Sequence, residues 1–306
     1  MNMLMNFFPL QMPRASALIA PPYAGGFRLA NSRKKPPVLA RTQHTLSGND
    51  GGALPDGEEL ERLAESIVSG LGNPSRLALV LSDAFFKMQI LTLTEFPAKE
   101  SERLQVLKWH VRKSLNYSLE DTRLRYSILE KRSGSVTIWL TLASETALNA
   151  LEKAFKAAGS SVGHIGAVTP ELFNLAVSRG GIRDGGAYLI LNRSGGSTSF
   201  LFTNGRRPVY YRQKEISHPS DDKASGQRLS REVRLTMAYY QERLGGAPLA
   251  GLFYRSWPSG LELPMDEFDS GLNAVSLDEL AANSEDARRA LLDDPALLPL
   301  FGVVET

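Results

Sequence analysis

The 306-residue sequence contains no cysteine. That excludes disulfides, thiolate metal ligands and cysteine nucleophiles, and it fits a reducing compartment. Histidine is scarce as well: His44, His110, His164 and His218 are the four present, and no two of them have the i, i+4 spacing of a helix-borne metal pair. No stretch reaches the roughly 18 apolar residues that a membrane-spanning helix requires. Neither sign of charge is in excess, because a formal net charge of +2 gives no global field for nucleic acid or membrane. Catalytic signatures are also missing. Ser197, Thr198 and Ser199 lack a G-x-S-x-G elbow and an evident histidine partner. A two-metal nuclease would need a carboxylate on the first strand, where Ala20 and its neighbours offer none.

The chain opens with the apolar segment "MNMLMNFFPLQMPRASALIA". Pro9 and Pro13 interrupt it and no basic residue precedes Arg14, so residues 1–14 read as a flexible leader of a cytoplasmic protein and not as a signal peptide. Phe7 and Phe8 could dock on the domain itself or on a partner. Three strands follow, "ASALIA", "GFRLA" and "PVLARTQHTL", broken by "PPYAG" and the charged turn "NSRKKPP". Asp56 and Glu59 have capping-box spacing. The helix after them places Leu60, Leu63, Ala64, Ile67 and Leu71 on one stripe. "RLALVLSD" (76–83) returns as a buried strand, completing half of an α/β lobe.

A strand, helix and hairpin block comes next: "FFKMQILTLTEFP", a helix expected over 99–116, then "RLRYSILEKR" and "SVTIWLTLAS" joined by a tight turn. This block, about 84–143, reads as a small α+β insertion into a first lobe spanning 15–182. Ser144 is placed to cap a helix to about Ala158, and Pro170 to open another behind Thr169. The second lobe, 183–306, begins with the glycine-bearing hairpin "AYLILNRSGGSTSFLFTNG" and continues through "RRPVYYRQKE". A helix expected over 227–244 turns Leu229, Val233, Met237, Tyr240 and Leu244 inward, and "PLAGLFYRS" is expected to be a central strand. Near that helix Arg228, Arg231 and Arg234 recur at helical spacing, which a solvated face explains without nucleic acid.

The stretch 91–129, "LTLTEFPAKESERLQVLKWHVRKSLNYSLEDTRLRYSIL", resembles the inserted subdomain of PilM, the actin-like cytoplasmic protein of type IV pilus assembly. Trp109 stands at the family's helical Trp, although His110 replaces the usual Glu, and Tyr117 with Leu119, Glu120 and Asp121 fits the loop that follows. "HIGAVTPELFNLA", "FLFTNGRRPVYYRQ" and "LSREVRLTMAYYQERL" resemble further segments of that family in the same order. The likeness spans about residues 15–302. It implies an α/β, two-lobed actin-like (RNase H-like) ATPase fold, with the insertion in the first lobe and a reduced second lobe.

An actin-like ATPase holds Mg-ATP between two glycine-bearing hairpins, with an Asp at the end of each first strand. Here Ala20, Pro21 and Pro22 occupy the first such position, and two prolines delete two backbone donors. Leu191, or Asn192 in the alternative alignment, occupies the second. Trp257 stands where an adenine pocket should open. About 15 residues separate the second-lobe hairpin from the long helix, where the family carries a roof subdomain. "NRSGGST" therefore reads as a turn inherited from a phosphate loop, and no bound ATP, magnesium or other metal is expected.

The resemblance implies a non-enzymatic scaffold at the inner membrane, held there through partners. Its expected ligand is the cytoplasmic tail of a PilN-like membrane protein, lying extended between the first lobe and the insertion. By position Phe85, Phe86, Leu104, Lys108 and Trp109 are the candidate contacts. Other platform or motor proteins and homo-oligomerisation remain open. One alternative is the cytoplasmic domain of an L-type protein of type II secretion, which normally continues into a membrane span. The other is a retained ATPase drawing a carboxylate from Asp83 or Asp184, neither of which the sequence points towards a cleft.

Overall fold

A computed structural model describes residues 13–30, 38–46, 54–112, 118–194, 197–215, 222–257, 263–282 and 294–304. Most of the leader, the "NSRKKPP" turn, Leu115, Tyr117, Gly195, Gly196 and His218 lie outside the described residues.

The first lobe is built on a five-stranded sheet. β1 (Ala15–Ala20), β2 (Tyr23–Leu29) and β3 (Val38–Thr45) form an antiparallel meander, and β4 (Arg76–Leu81) and β8 (Ser161–Ala167) run parallel to β1, in the order β3-β2-β1-β4-β8. β1 and β4 lie inside the sheet and read as nearly unbroken apolar runs, as strands covered on both faces do. α1 (Gly57–Gly70) buries the expected stripe, with Val68 added, and the Asp56 carboxylate accepts the Glu59 backbone N–H at 2.8 Å. α3 (Glu145–Ala157) begins where Ser144 Oγ accepts the Ala147 N–H.

Between β4 and α3 the chain makes the inserted unit. β5 (Lys87–Leu93), β6 (Thr122–Arg132) and β7 (Ser135–Ser144) form an antiparallel sheet in the order β5-β7-β6, covered on one face by α2 (Glu100–Val111). The described part of α2 is shorter than the expected 99–116, and Lys99 at its N-terminus makes no side-chain cap. The insertion is tied to the second lobe: Trp139 packs 5.6 Å from the Tyr211 ring, and Arg207 meets Glu130 at 2.5 Å.

α4 (Val168–Ser178) starts one residue before Thr169, so Pro170 sits inside the first turn and not at its opening position. The reason lies elsewhere in the chain. Asp83 accepts the Thr169 N–H at 2.9 Å as well as its hydroxyl, so a distant carboxylate caps this helix and no local side chain is needed.

In the second lobe β9 (Ala187–Ser194), β10 (Ser197–Asn204) and β11 (Arg207–Glu215) form a meander that continues into β12 (Leu249–Trp257) and β13 (Ala274–Ser276), in the order β11-β10-β9-β12-β13. β9 and β10 alternate between two cores: Leu189, Leu191, Phe200 and Phe202 meet α5 (Asp222–Leu244), whereas Ile190 and Leu201 join the core of the first lobe. α5 begins five residues earlier than expected and turns Leu229, Val233 and Tyr240 inward. Leu244 is 44% exposed, being the last residue of the helix, after which Gly245 turns the chain at φ 57°. Only residues 216–221 connect β11 to α5, a link too short for a further subdomain.

α6 (Leu277–Ala282) follows β13. α7 (Pro299–Val304) packs on α4 and β1, with Phe301 4.9 Å from Phe27. Residues 294–304, assigned with the second lobe from the sequence, therefore return to the first, because the apolar run "ALLPLF" can be buried there.

Candidate functional site: a closed seam and an open groove

Two regions could hold a ligand in this architecture. The first is the seam between the lobes. The two-residue turn Pro21–Pro22 joins β1 to β2, with Ala20 opposite Tyr23, and Ala20 and Pro21 are buried. The Tyr23 hydroxyl donates to Asp294, and the Trp257 ring stands edge-on to Tyr23 at 5.1 Å. Trp257 thus packs beside the turn. Behind it the fully buried Arg255 guanidinium donates to the carbonyls of Pro295 and Ala296 at 3.0 and 3.2 Å. Burial lowers its pKa to about 10 against the opposing charges of Asp278 and Asp294 and the Tyr23 hydroxyl.

Deeper in the seam lies Asp83, the first residue of the 3-10 turn that follows β4. Its carboxylate accepts Ser199 Oγ at 2.6 Å and Asn192 Nδ2 at 3.4 Å from the second lobe, besides the two Thr169 bonds from the first. Asn192 Nδ2 also reaches Thr169 Oγ1 at 3.0 Å, and Tyr211 OH lies 3.1 Å from Ser199 Oγ. Burial holds the Asp83 carboxyl above its ordinary range although all four hydrogen bonds favour the anion. The same burial, reinforced by the Asp83 charge, raises the Tyr211 phenol.

Mg-ATP would need free carboxylates and free backbone donors here, and these side chains do not fit it. Asp83 is committed to four donors, Leu191 is buried against the α5 core, Asn192 is turned to Asp83, and Asp184 is an exposed side chain 4.0 Å from Arg206. Beside this network Tyr188, Ile190, Leu201, Tyr211 and Phe253 of the second lobe pack into the apolar core of the first.

The second region is a groove of about 430 Å³ between the first lobe and the inserted sheet. Strand alternation decides what faces it. On β7, Leu140 and Leu142 turn to α2 while Thr141 and Ala143 face the groove; on β6, Leu124 turns to α2 while Arg123 and Arg125 face the groove. Phe86 and Met88 line it from the start of β5, and Leu148 and Glu152 from α3. Across from them all six residues from Val162 to Ala167 line it, and consecutive residues can do so only where a strand presents its edge. Among the described residues β8 pairs with β4 alone, which leaves that edge free.

Charge is unevenly matched along the groove. Arg123 is spoken for by Glu145 and Glu152 at 2.8 and 2.6 Å. His164, on the floor, lies 3.2 Å from the buried Glu171, which also accepts Asn174 Nδ2 at 3.0 Å. Among the described residues the hydrogen bonds of Arg76 and Arg125 go to backbone carbonyls, those of Gly163 and Leu124, and the Arg125 charge also reaches Glu145.

Of the five residues singled out from the sequence, Phe86 lines the groove and Phe85 packs on the core beside it. Leu104 belongs to the core between α2 and the inserted sheet, on the sheet's other face. Lys108 and Trp109 are on the same helix, Trp109 at 72% exposure. The structure does not bring the five together. Arg76, Arg125 and the β8 edge went unnoticed; the alternation of "RLRY" and "LTLAS" was the available signal.

No family model matches the sequence, and no curated protein matches it. Solved structures do. A chain of the PilM–PilN type IV pilus biogenesis complex aligns with a TM-score of 0.75 at 16% identity, over 96% of this chain and 98% of that one. A Bacteroides thetaiotaomicron protein with an actin-like ATPase fold and unknown function aligns at 0.55 and 13% identity, over 91% and 95%. The cytoplasmic domain of EpsL, an inner-membrane component of the Vibrio cholerae type II secretion system, aligns at 0.50 and 13% identity, over 89% and 95%. The fold is PilM-like and actin-like.

Proposed function

We propose that the protein is a non-enzymatic scaffold on the cytoplasmic side of a type IV pilus or related assembly platform. It binds the short cytoplasmic tail of a PilN-like inner-membrane protein in the groove between the first lobe and the inserted sheet, and is held at the membrane by that partner. The observation that carries this reading is the contrast within the molecule: the lobe–insertion groove is open along a free strand edge, whereas hydrogen bonds and apolar packing fill the interlobe seam. Extended peptides bind free edges readily, since backbone bonds supply affinity and side-chain pockets supply register. No helix among the described residues is long and apolar enough to cross a membrane, so attachment through a partner suits the reading. Fold likeness to a chain of a PilM–PilN complex supports the same partner class. The EpsL likeness supports a secretion platform as the second setting for the same scaffold role.

Two titrations test the proposal. Synthetic peptides spanning the tail of the PilN-like protein of the same genome should bind calorimetrically. Thr141→Trp, which fills the groove, should abolish that binding in a protein that still melts cooperatively. Mg-ATP and Mg-ADP at millimolar reach should give no heat. Micromolar nucleotide binding, or peptide binding indifferent to Thr141→Trp, overturns the reading.

A further inference from the structure

The two glycines of β8 carry the inference. A Cβ on Gly163 would collide with the Arg76 guanidinium, and one on Gly166 would collide with the His164–Glu171 pair. The missing side chain at 163 thus lets a cation from the neighbouring strand β4 lie across the groove-lining edge. Among the described residues Arg76 donates to the Gly163 carbonyl, at 3.3 Å, and makes no ion pair. On the opposite wall Arg125 is exposed and donates to the Leu124 carbonyl at 3.0 Å; its charge reaches Glu145, but the ion pair of that carboxylate is made with Arg123, so among the described residues Arg125 has no close carboxylate of its own. Its neighbour Arg123, two residues away on the same face, is neutralised by Glu145 and Glu152. Two cations of opposite walls are therefore left over in one groove. Phe86, Met88, Ala167 and Pro170 supply its apolar part.

Resting on the groove reading above, we propose that the occupant is an acidic-apolar segment. It is added as a further strand along β8, with a carboxylate between Arg76 and Arg125 and an apolar side chain against Phe86 and Met88. A guanidinium half withdrawn from water gains most from a planar carboxylate that accepts two of its N–H groups. A basic tail would place like charges together and be rejected, so the two arginines select the partner by sign.

The probe is a set of synthetic 12-residue peptides tiling the cytoplasmic tails of inner-membrane proteins from the same genome. Each is measured by fluorescence anisotropy against the full chain. Peptides that bind should hold Asp or Glu among alternating apolar residues. Replacing that acid with Gln should weaken binding at least tenfold, as should Arg76→Gln with Arg125→Gln in the protein. Arg125→Glu, on an exposed side chain, should restore tight binding to a peptide whose acid is changed to Lys, which a merely structural role would not produce. Two outcomes overturn the proposal while leaving the groove in place: binding that Thr141→Trp abolishes but both Gln changes alter less than about threefold, and a bound set with no acidic residue. If no tail binds, or Thr141→Trp leaves binding unchanged, the groove reading itself fails and the proposal with it.

Discussion

The seam and the groove contain similar chemistry with opposite bookkeeping of partners. In the seam a carboxylate, Asp83, accepts four hydrogen bonds drawn from both lobes, about as many as its lone pairs can take, and water has no access to it. In the groove two guanidiniums make no close ion pair among the described residues, Arg125 sharing with Arg123 the field of Glu145. A site whose polar groups satisfy one another stabilises the fold; one whose groups are unsatisfied selects a partner. The difference teaches that polar side chains in one fold can serve to join its lobes in one place and be left open to solvent in another.

The largest effect should come from opening the seam. Asp83→Ala removes the acceptor of four buried hydrogen bonds that join the lobes and cap α4. It should cost about 3–5 kcal/mol in urea unfolding; a loss below about 1 kcal/mol would show that the apolar core alone holds the lobes. Asp83→Asn keeps the shape and isolates the titration. Because the native carboxyl sits above its ordinary 3.8, ionisation is penalised more in the folded than in the unfolded chain. The stabilisation this group gives is therefore complete in acid, below the unfolded value, and is lost as pH rises from there through the raised native value. Unfolding measured from pH 3 upward should show the wild type losing ground against Asp83→Asn, and an opposite slope would mean the hydrogen bonds outweigh burial.

Phe86→Ala tests the groove wall. The ring is 7% exposed and joins the first-lobe core, so its loss should cost about 2–4 kcal/mol and weaken tail binding together. Tyr23→Phe is gentler. It deletes the hydroxyl that donates to Asp294 while keeping the ring against Trp257, and should cost about 1–2 kcal/mol in the same urea assay, with peptide binding unchanged because the groove is elsewhere. A fall in peptide affinity in Tyr23→Phe would mean that the two regions communicate.

The strands and helices were largely legible because their signals are local: proline and glycine at turns, Asp56 and Ser144 at caps, and the α1 stripe. The turn at Pro21 and Pro22 between β1 and β2 was legible for the same reason. The Asp83 network was not, since its partners come from residues 169, 192 and 199, brought together only by the sheet order. The start of α4 was misplaced on the same account, its cap being supplied from 86 residues away. The return of residues 294–304 to the first lobe is equally non-local, for an apolar run shows that it will be buried but not against what. At the groove the alternation on β6 and β7 was readable, yet which face met α2 depended on where the helix settled.

Trp109 gives the smallest expected effect and the sharpest separation of the two faces of the inserted sheet. Its position in the sequence made it the natural candidate for tail binding, but at 72% exposure, with only the His110 ring 5.1 Å away, it stands on α2. The groove lies across the sheet from that helix, beyond Leu140 and Leu142. Trp109→Ala should therefore change stability by less than about 0.5 kcal/mol and leave the affinity for tail peptides within twofold, where Phe86→Ala and the paired arginine changes do not. Loss of tail binding in a Trp109→Ala protein with an unaltered melt would move the peptide from the β8 edge to the outer face of α2. Arg76 and Arg125 would then be cations without a ligand role, and the contrast with the seam would lose its functional meaning.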